Sequence, residues 1–262
     1  GTAPPPSLKV GKAKLVLAPA PACHSNIVKL SDTSFGFQNG PVILNSVNLL
    51  IEKGMRLVII GPNGSGKSTL LKAIEGKLGL SNGERVVGDG VSIGVFTQDL
   101  AQDLPQHEVA LSLVLRLARE QDPTISDERG RAVMGALGLE GDKSLRPVGY
   151  LSGGEKARVA LSVFALVPRN LLLLDEPSNH LDQQTLAALV AAVKSWKGTV
   201  GCVSHNRNFI ESLKPTHTVV VHNGEVGFYN RPPEGKDWEF TTDFARVEAD
   251  VSSEKREANL RR

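Results

Sequence analysis

One glycine-rich segment, residues 61–69 (GPNGSGKST), constrains the fold of this chain more than any other feature. The apolar run MRLVII leads into it, and apolar residues at helical spacing follow it. Glycines at this spacing let backbone N–H groups curl around phosphate oxygens at the start of a helix. The segment therefore predicts a strand, a phosphate-binding loop and a helix, in that order.

The side chains of this loop suit a nucleoside triphosphate with a bound metal ion. The Lys67 ammonium would reach the β- and γ-phosphates, the Ser68 hydroxyl would ligate Mg²⁺, and Thr69 could donate to the α-phosphate. We count Lys67 among both the binding and the catalytic residues. The predicted nucleotide-binding positions of the loop are Gly61, Asn63, Gly64, Ser65, Gly66, Lys67, Ser68 and Thr69.

Two carboxylates follow a fully apolar predicted strand, residues 171–174. Asp175 and Glu176 come at its carboxyl end, where an open α/β sheet places its ligand crevice. Asp175 suits Mg²⁺, directly or through water. On an extended chain Glu176 would point the other way and could polarise the attacking water. The alternative interpretation of such a pair is an ion pair or a helix cap.

Two further polar residues each follow a predicted strand. Gln98 comes after GVFT, where its amide could contact Mg²⁺ or the attacking water. His205 comes after TVGCVS and could donate to a γ-phosphate, although a lone histidine at a strand end is more often structural. We expect both residues in the catalytic group, with Gln98 also as a metal contact.

A second candidate anion site precedes the helix-forming run KARVALSVFALV. Residues 151–155 (LSGGE) place a Ser-Gly-Gly turn at a helix N-terminus, where N–H groups and a hydroxyl point outward. Its predicted phosphate-binding residues are Ser152, Gly153 and Gly154. The chain thus carries two phosphate-binding turns.

The order of these segments resembles the ATP-binding-cassette (ABC) ATPases over about residues 27–229. The resemblance implies a P-loop α/β fold with a mostly parallel sheet, an antiparallel β subdomain and a helical subdomain. The resemblance also assigns the family's motifs to this chain. Residues 61–69 correspond to the Walker A loop, Gln98 to the Q-loop and residues 151–155 to the signature. Asp175 and Glu176 correspond to the Walker B end and the catalytic glutamate, residues 178–182 to the D-loop, and His205 to the switch histidine.

The family also places an aromatic residue against adenine. Phe37 is the best match, although the family usually has tyrosine there, and Phe35 is the competing candidate. A plain core role for Phe37 is the other interpretation. The cofactors that the resemblance implies are ATP and Mg²⁺.

Finer details resemble the ABC-F class of translation factors: LSGGEKARVALS, EPSNHLD, VSHNRNF and a short helical arm. ABC-F proteins carry two cassettes on one chain, whereas this sequence has one P-loop and one signature. It is therefore expected to be half of such a protein or a homodimer-forming domain. The proline-rich KLVLAPAPACHSN resembles the end of the linker between cassettes and favours the second cassette. The implied partners are a second ABC cassette and, for the full-length protein, the ribosome and its rRNA.

A different class of function stays open, the ATPase subunit of an ABC membrane transporter. The segment SLRPVGY before the signature lacks the acidic-Gly stretch common in exporter cassettes, which favours the translation-factor class. A nucleotide-binding module without turnover is disfavoured because Lys67, Glu176 and His205 are all present.

Composition bounds the remaining possibilities. A net charge of +2 is too small for nucleic-acid binding by the whole surface, so a phosphate-rich partner would meet a local patch. No stretch approaches the roughly 18 uninterrupted apolar residues of a spanning helix, so no direct membrane insertion is expected. Cys23 and Cys202 lie in unlike contexts, which predicts no disulfide and a reducing compartment, the cytoplasm or an organelle matrix or stroma.

Three regions follow from these patterns. Residues 1–26 are predicted to be a Pro/Ala-rich linker or arm, residues 27–230 an ABC ATPase domain with a helical insert at about 105–150, and residues 231–262 a charged tail. A small antiparallel sheet is expected between residues 27 and 51. The runs LLLLD, TVGCVS and HTVVVH alternate with helical stretches, which predicts a parallel sheet covered on both faces.

Overall fold

A computed structural model describes residues 13–36 and 40–241, the side chains of residues 240 and 241 excepted. Its elements are β1 (Asn26–Gly36), β2 (Val42–Glu52), β3 (Arg56–Ile60), α1 (Lys67–Glu75), β4 (Leu80–Val87), β5 (Ile93–Phe96), α2 (Asp99–Gln102), α3 (Ala110–Gln121), α4 (Asp127–Ala136), α5 (Asp142–Leu145), α6 (Gly153–Leu166), β6 (Leu171–Asp175), α7 (Gln183–Ser195), β7 (Thr199–Val203), α8 (Arg207–Ser212), β8 (His217–His222) and β9 (Glu225–Tyr229). Short 3₁₀ helices occupy Val148–Tyr150, Pro177–Asn179 and Gly235–Thr241.

The larger sheet has six strands in the order β5-β6-β7-β3-β8-β9. All neighbours run parallel except β8 and β9, which form an antiparallel pair. Strand β7 and the four leucines of β6 are fully buried, as strands covered on both faces must be. The predicted mostly parallel P-loop core is confirmed.

The smaller sheet is antiparallel, with the order β2-β1-β4. Strands β1 and β2 form the pair that the apolar runs between residues 27 and 51 predict. Strand β4 was not predicted, because its sequence LSNGERVV is mostly polar and most of its residues are exposed. It pairs with β1 through backbone hydrogen bonds, which leave no hydrophobic pattern in the sequence.

The helices α3, α4 and α5 lie in the region where the sequence predicts a helical insert. The apolar residues of α3 and α4 face α6 and share one buried cluster with it. Leu113, Met134 and Val159 are fully buried in that cluster. Helix α6 therefore connects the helical region to the larger sheet.

The segment before β1 packs against the cassette from residue 13 onward. Leu15 and Leu17 are buried. The Ala18 N–H donates to the Ala165 carbonyl at 2.9 Å, and the Trp196 indole donates to the Ala18 carbonyl at 2.9 Å. The proline-rich composition predicts an extended arm, and these contacts place its second half on the cassette surface.

Two predicted regions fall partly outside the described residues, namely the start of the arm (1–12) and most of the charged tail (242–262). In the part of the chain that the structure does describe, no helix has both the length and the apolar character needed to cross a membrane.

Candidate active site

The predicted phosphate loop joins the end of β3 at Ile60 to the start of α1 at Lys67. A Cβ added at Gly61 would lie 2.2 Å from the Val221 carbonyl oxygen, so only glycine permits this approach to β8. Gly66 has a φ of 106°, which other residues rarely adopt. The loop conformation therefore depends on the glycines that the motif supplies.

The Lys67 side chain is folded back into the loop. Its Nζ donates to the carbonyl oxygens of Gly61 at 2.8 Å and Pro62 at 2.9 Å, and the side chain is buried. Desolvation lowers the Lys67 pKa, and the nearby charges of Glu176 and Asp175 oppose that shift. A buried cation held by neutral carbonyls can exchange them for phosphate oxygens, which are stronger acceptors.

A cavity of about 490 Å³ opens above the loop. It is lined by Ile43, Asn63, Gly64, Gly66, Lys67, Ser68, Thr69, Glu176, Asn179, Val203 and His205. The first N–H groups of α1 have no partner within their own helix and lie at this cavity. The Ser65 hydroxyl beside Gly61 is buried without a hydrogen-bond partner. The N–H groups at the start of α1 fit a phosphate chain.

The two carboxylates at the end of β6 take different directions. Asp175 Oδ2 accepts a hydrogen bond from Ser68 Oγ at 3.3 Å, and burial raises the Asp175 pKa in spite of that bond. The prediction of an extended Glu176 is wrong, because this residue is left-handed, with φ 47° and ψ 51°. The chain turns there into the 3₁₀ helix Pro177–Asn179, and the Glu176 N–H donates to Val203 O at 2.8 Å. This turn, and not strand alternation, directs the Glu176 carboxylate into the cavity.

His205 lies against Glu176 at the rim of the same cavity. The His205 backbone N–H donates to Glu176 Oε2 at 3.2 Å. The imidazole Nε2 is 3.1 Å from Glu176 Oε1, but the angles are not those of a hydrogen bond, and Oε1 has no other partner among the described residues. Oε1 is therefore a buried acceptor without a hydrogen bond, held against the His205 imidazole, while the Glu176 residue as a whole lines the cavity.

Gln98 lies beside this cavity but not in it. It precedes α2 and lines a second cavity of about 570 Å³, together with Gly153 and His180. Asn179 borders both cavities. Contact of Gln98 with a metal ion or the attacking water stays a prediction.

The fit of the site to Mg²⁺ depends on Ser68 and Asp175. The described residues contain no group of three or more His, Cys, Asp and Glu side chains suited to a metal ion. A metal beside Ser68 and Asp175 would therefore need phosphate oxygens and water as its remaining ligands. This is the usual coordination of Mg²⁺ in nucleotide sites.

The signature turn lies on the surface, away from the phosphate loop. Ser152 caps α6, because its Oγ accepts from the Glu155 N–H at 3.2 Å and lies 3.1 Å from Glu155 Oε1. Ser152, Gly153 and Gly154 are exposed, and none of them lines the cavity above the phosphate loop. Within one chain the two turns predicted to bind phosphate therefore do not share a cavity.

The candidates for adenine stacking have different outcomes. Phe35 is fully buried in the core between the sheets, so it cannot stack on a base. Phe37 lies outside the described residues. Ile43, on β2, lines the cavity but was not among the predicted site residues, because nothing in the run VILNSVNLLI separates it from core positions.

The phosphate loop, the carboxylates at a strand end and the separate signature turn together define an ATP-binding cassette. The family described as ABC transporter matches residues 44–179, and the chain belongs to this family. It is 36% identical over 208 residues to "ABC transporter F family member 4" of Arabidopsis thaliana, covering 78% of this chain and 29% of that protein. It is 40% identical over 189 residues to "ABC transporter F family member 2" of the same plant, covering 72% and 27%.

A solved structure gives the same fold. The ATP-binding cassette MJ0796, in a dimeric post-hydrolysis state bound to ADP and Pi, superposes with a TM-score of 0.64 at 25% identity. The match covers 79% of this chain and all of that one. The chain spans under a third of the length of the two curated relatives given above.

Proposed function

We propose that this cassette binds Mg-ATP and hydrolyses it to ADP and phosphate at an interface with a second cassette. The observation that carries the proposal is the position of Lys67, Ser68, Glu176 and His205 around one cavity, with the signature turn exposed elsewhere. One chain then supplies the phosphate loop of one site and the signature of another.

Each residue has a role that its surroundings support. Lys67 and the first N–H groups of α1 bind the β- and γ-phosphates, and Ser68 and Asp175 would hold the Mg²⁺ ion, which neutralises phosphate charge when bound. The Glu176 carboxylate accepts a proton from the attacking water, because this residue lines the cavity beside Lys67 and Ser68 and one of its oxygens has no hydrogen bond. His205 donates to the γ-phosphate from the cavity rim.

The second cassette would supply Ser152, Gly153 and Gly154 to the γ-phosphate. Their exposure on this chain, at the N-terminus of α6, leaves the Gly153 and Gly154 N–H groups accessible to a nucleotide bound elsewhere. The Ser152 hydroxyl, which donates to Glu155 Oε1 at 3.1 Å, would exchange that bond for one to phosphate. The dimeric state of the MJ0796 cassette with ADP and Pi supports the same arrangement. The test is ATP turnover per molecule across a protein dilution series. Turnover should fall on dilution, and a constant rate would contradict the paired site.

We further propose that the whole protein is a ribosome-associated translation factor that works in the cytoplasm or in an organelle matrix or stroma. The supporting observation is the similarity to two ABC transporter F family members over more than 70% of this chain. In this scheme ATP binding closes the cassette pair on a ribonucleoprotein site, and ATP hydrolysis releases the protein from that site.

Co-sedimentation of the full-length Glu176→Gln protein with ribosomes, across a salt series, tests this role. Binding through rRNA phosphates should require ATP and weaken steeply as salt rises. A membrane-flotation assay of the same protein is the control. Flotation without ribosome pelleting would contradict the proposal.

A second candidate, the ATPase subunit of a membrane transporter, has one observation in its favour. A cavity of about 520 Å³ beside α3 and α6 is lined partly by Leu100, Leu117 and Phe164, and could receive a helix of a membrane partner. The flotation assay decides between the two candidates, since this one predicts membrane association.

A further inference from the structure

Tyr150 is the most exposed large apolar side chain among the described residues, at 81% relative exposure. It stands two residues before Ser152, on the segment that leads into the signature turn. Its side chain makes no hydrogen bond or ring contact within the described part of the chain. An aromatic ring so exposed beside a nucleotide-binding turn needs an explanation.

The backbone around Tyr150 is firmly held. The Gly149 N–H donates to Gln106 O at 2.8 Å, and the Tyr150 N–H donates to Pro147 O at 3.0 Å. Val148, the first residue of this short 3₁₀ helix, and Leu151, which follows it, are both buried and fix its orientation. The ring is therefore presented outward by an ordered frame, and stacking it on a ligand costs little backbone entropy.

The cavity above the phosphate loop offers little to hold a purine. Ile43 and Val203 are the apolar side chains that line it among the described residues, and the remaining lining is polar or glycine. These two aliphatic side chains provide no aromatic surface for a base. An aromatic ring from a second cassette would therefore add a stacking contact.

We propose that Tyr150 stacks on the adenine base of the nucleotide held by the partner cassette. This inference rests on the proposed pairing of cassettes, in which Ser152 reaches the γ-phosphate of that nucleotide. Tyr150 and Ser152 are two residues apart, so their Cα atoms are at most about 7 Å apart. If Ser152 contacts the γ-phosphate of ATP, the ring that projects from Tyr150 can reach the nucleoside end of the same ATP molecule. Tyr150 would act as a binding and base-specificity residue in trans.

The test measures ATP-dependent pairing of the chain by analytical ultracentrifugation, with Glu176→Gln as the parent. Adding Tyr150→Ala should weaken pairing at least about fivefold with ATP, as expected for loss of one base–aromatic stack. Tyr150→Phe should pair like the parent. With ribose 5-triphosphate, which has no base, the Tyr150→Ala and parent proteins should pair equally.

The controls separate the possible failures. Tyr229→Ala removes the other tyrosine, which is 43% exposed on β9, and should leave pairing unchanged. ATP affinity of the dilute, unpaired Tyr150→Ala protein should match that of the parent, because the contact is in trans. If Tyr150→Ala weakened pairing equally with ATP and with ribose 5-triphosphate, the contact with the base would be ruled out. Unchanged pairing of Tyr150→Ala with ATP would also rule it out. If the parent failed to pair in ATP, the paired-cassette proposal would fail, and this inference with it.

Discussion

The carboxylate of Glu176 contacts His205 at two points: Oε2 accepts from the His205 backbone N–H at 3.2 Å, and Oε1 lies 3.1 Å from Nε2. This contact joins the end of β6, where Glu176 is the proposed general base, to the loop that follows β7. It fixes Glu176 while leaving Oε1 without a hydrogen bond.

Glu176→Gln should therefore preserve the site but stop the chemistry. The glutamine amide oxygen can still accept from the His205 N–H, while the group no longer takes a proton from water. We expect turnover to fall by about two orders of magnitude or more, with ATP affinity retained and an ATP-bound pair accumulating. Single-turnover kinetics measures this, and a wild-type rate would remove Glu176 from the mechanism.

Lys67→Ala should weaken nucleotide binding by about 100-fold or more, because charge-assisted bonds to phosphate are lost from a buried position. Titration calorimetry with ATP and with ADP measures the loss. The thermal unfolding midpoint provides the control, since it should show that the variant is folded. Equal affinity in the two proteins would mean that this loop does not bind phosphate.

Asp175→Asn should raise stability while it impairs Mg²⁺-dependent ATP binding. Burial raises the Asp175 pKa, so the charged carboxylate is disfavoured in the folded protein. Wild-type stability is therefore lost as pH rises from the ordinary aspartate value through the raised one, and the full cost applies at neutral pH. Thermal unfolding without nucleotide should give a higher midpoint for the variant at pH 7. The difference should shrink as the pH falls through that window, and a lower midpoint at pH 7 would contradict the account.

Two glycine substitutions should separate folding from pairing. Gly61→Ala places a Cβ 2.2 Å from Val221 O and should destabilise the protein by about 1–3 kcal/mol. At Gly153 an added Cβ meets nothing within 4 Å, so Gly153→Ala should unfold like the wild type. Its methyl group would nevertheless obstruct the signature turn, and turnover should fall. Urea unfolding and ATPase assays compare the two variants. Equal stability of the two variants would show that the close approach of Gly61 to Val221 O is not required for the stability of the fold.

The features that local sequence determines were predictable. The strand, loop and helix around Lys67 follow from glycine spacing and apolar periodicity, and the capping of α6 by Ser152 follows from the order Ser-Gly-Gly-Glu. Strands β6 and β7 follow from their unbroken apolar runs. In each case the residues that determine the structure are neighbours in the chain.

The features that tertiary contacts determine were not predictable. Glu176 is left-handed where the chain turns from β6 into the 3₁₀ helix, and its N–H donates to Val203 O, 27 residues away. That contact leaves no local pattern in the sequence. Leu15 and Leu17 are buried although proline-rich segments are usually solvated. Ile43 reaches the cavity only because β2 passes beside the phosphate loop.

The measurement that tests the central claim most directly is complementation between two defective chains. Lys67→Ala removes the phosphate-binding lysine and keeps the signature, while Ser152→Arg fills the signature turn and keeps the phosphate loop. If each active site combines the loop of one cassette with the signature of another, each variant alone should be inactive, and a mixture should hydrolyse ATP. A Ser152→Arg protein with the wild-type turnover, unchanged on dilution, would contradict the account.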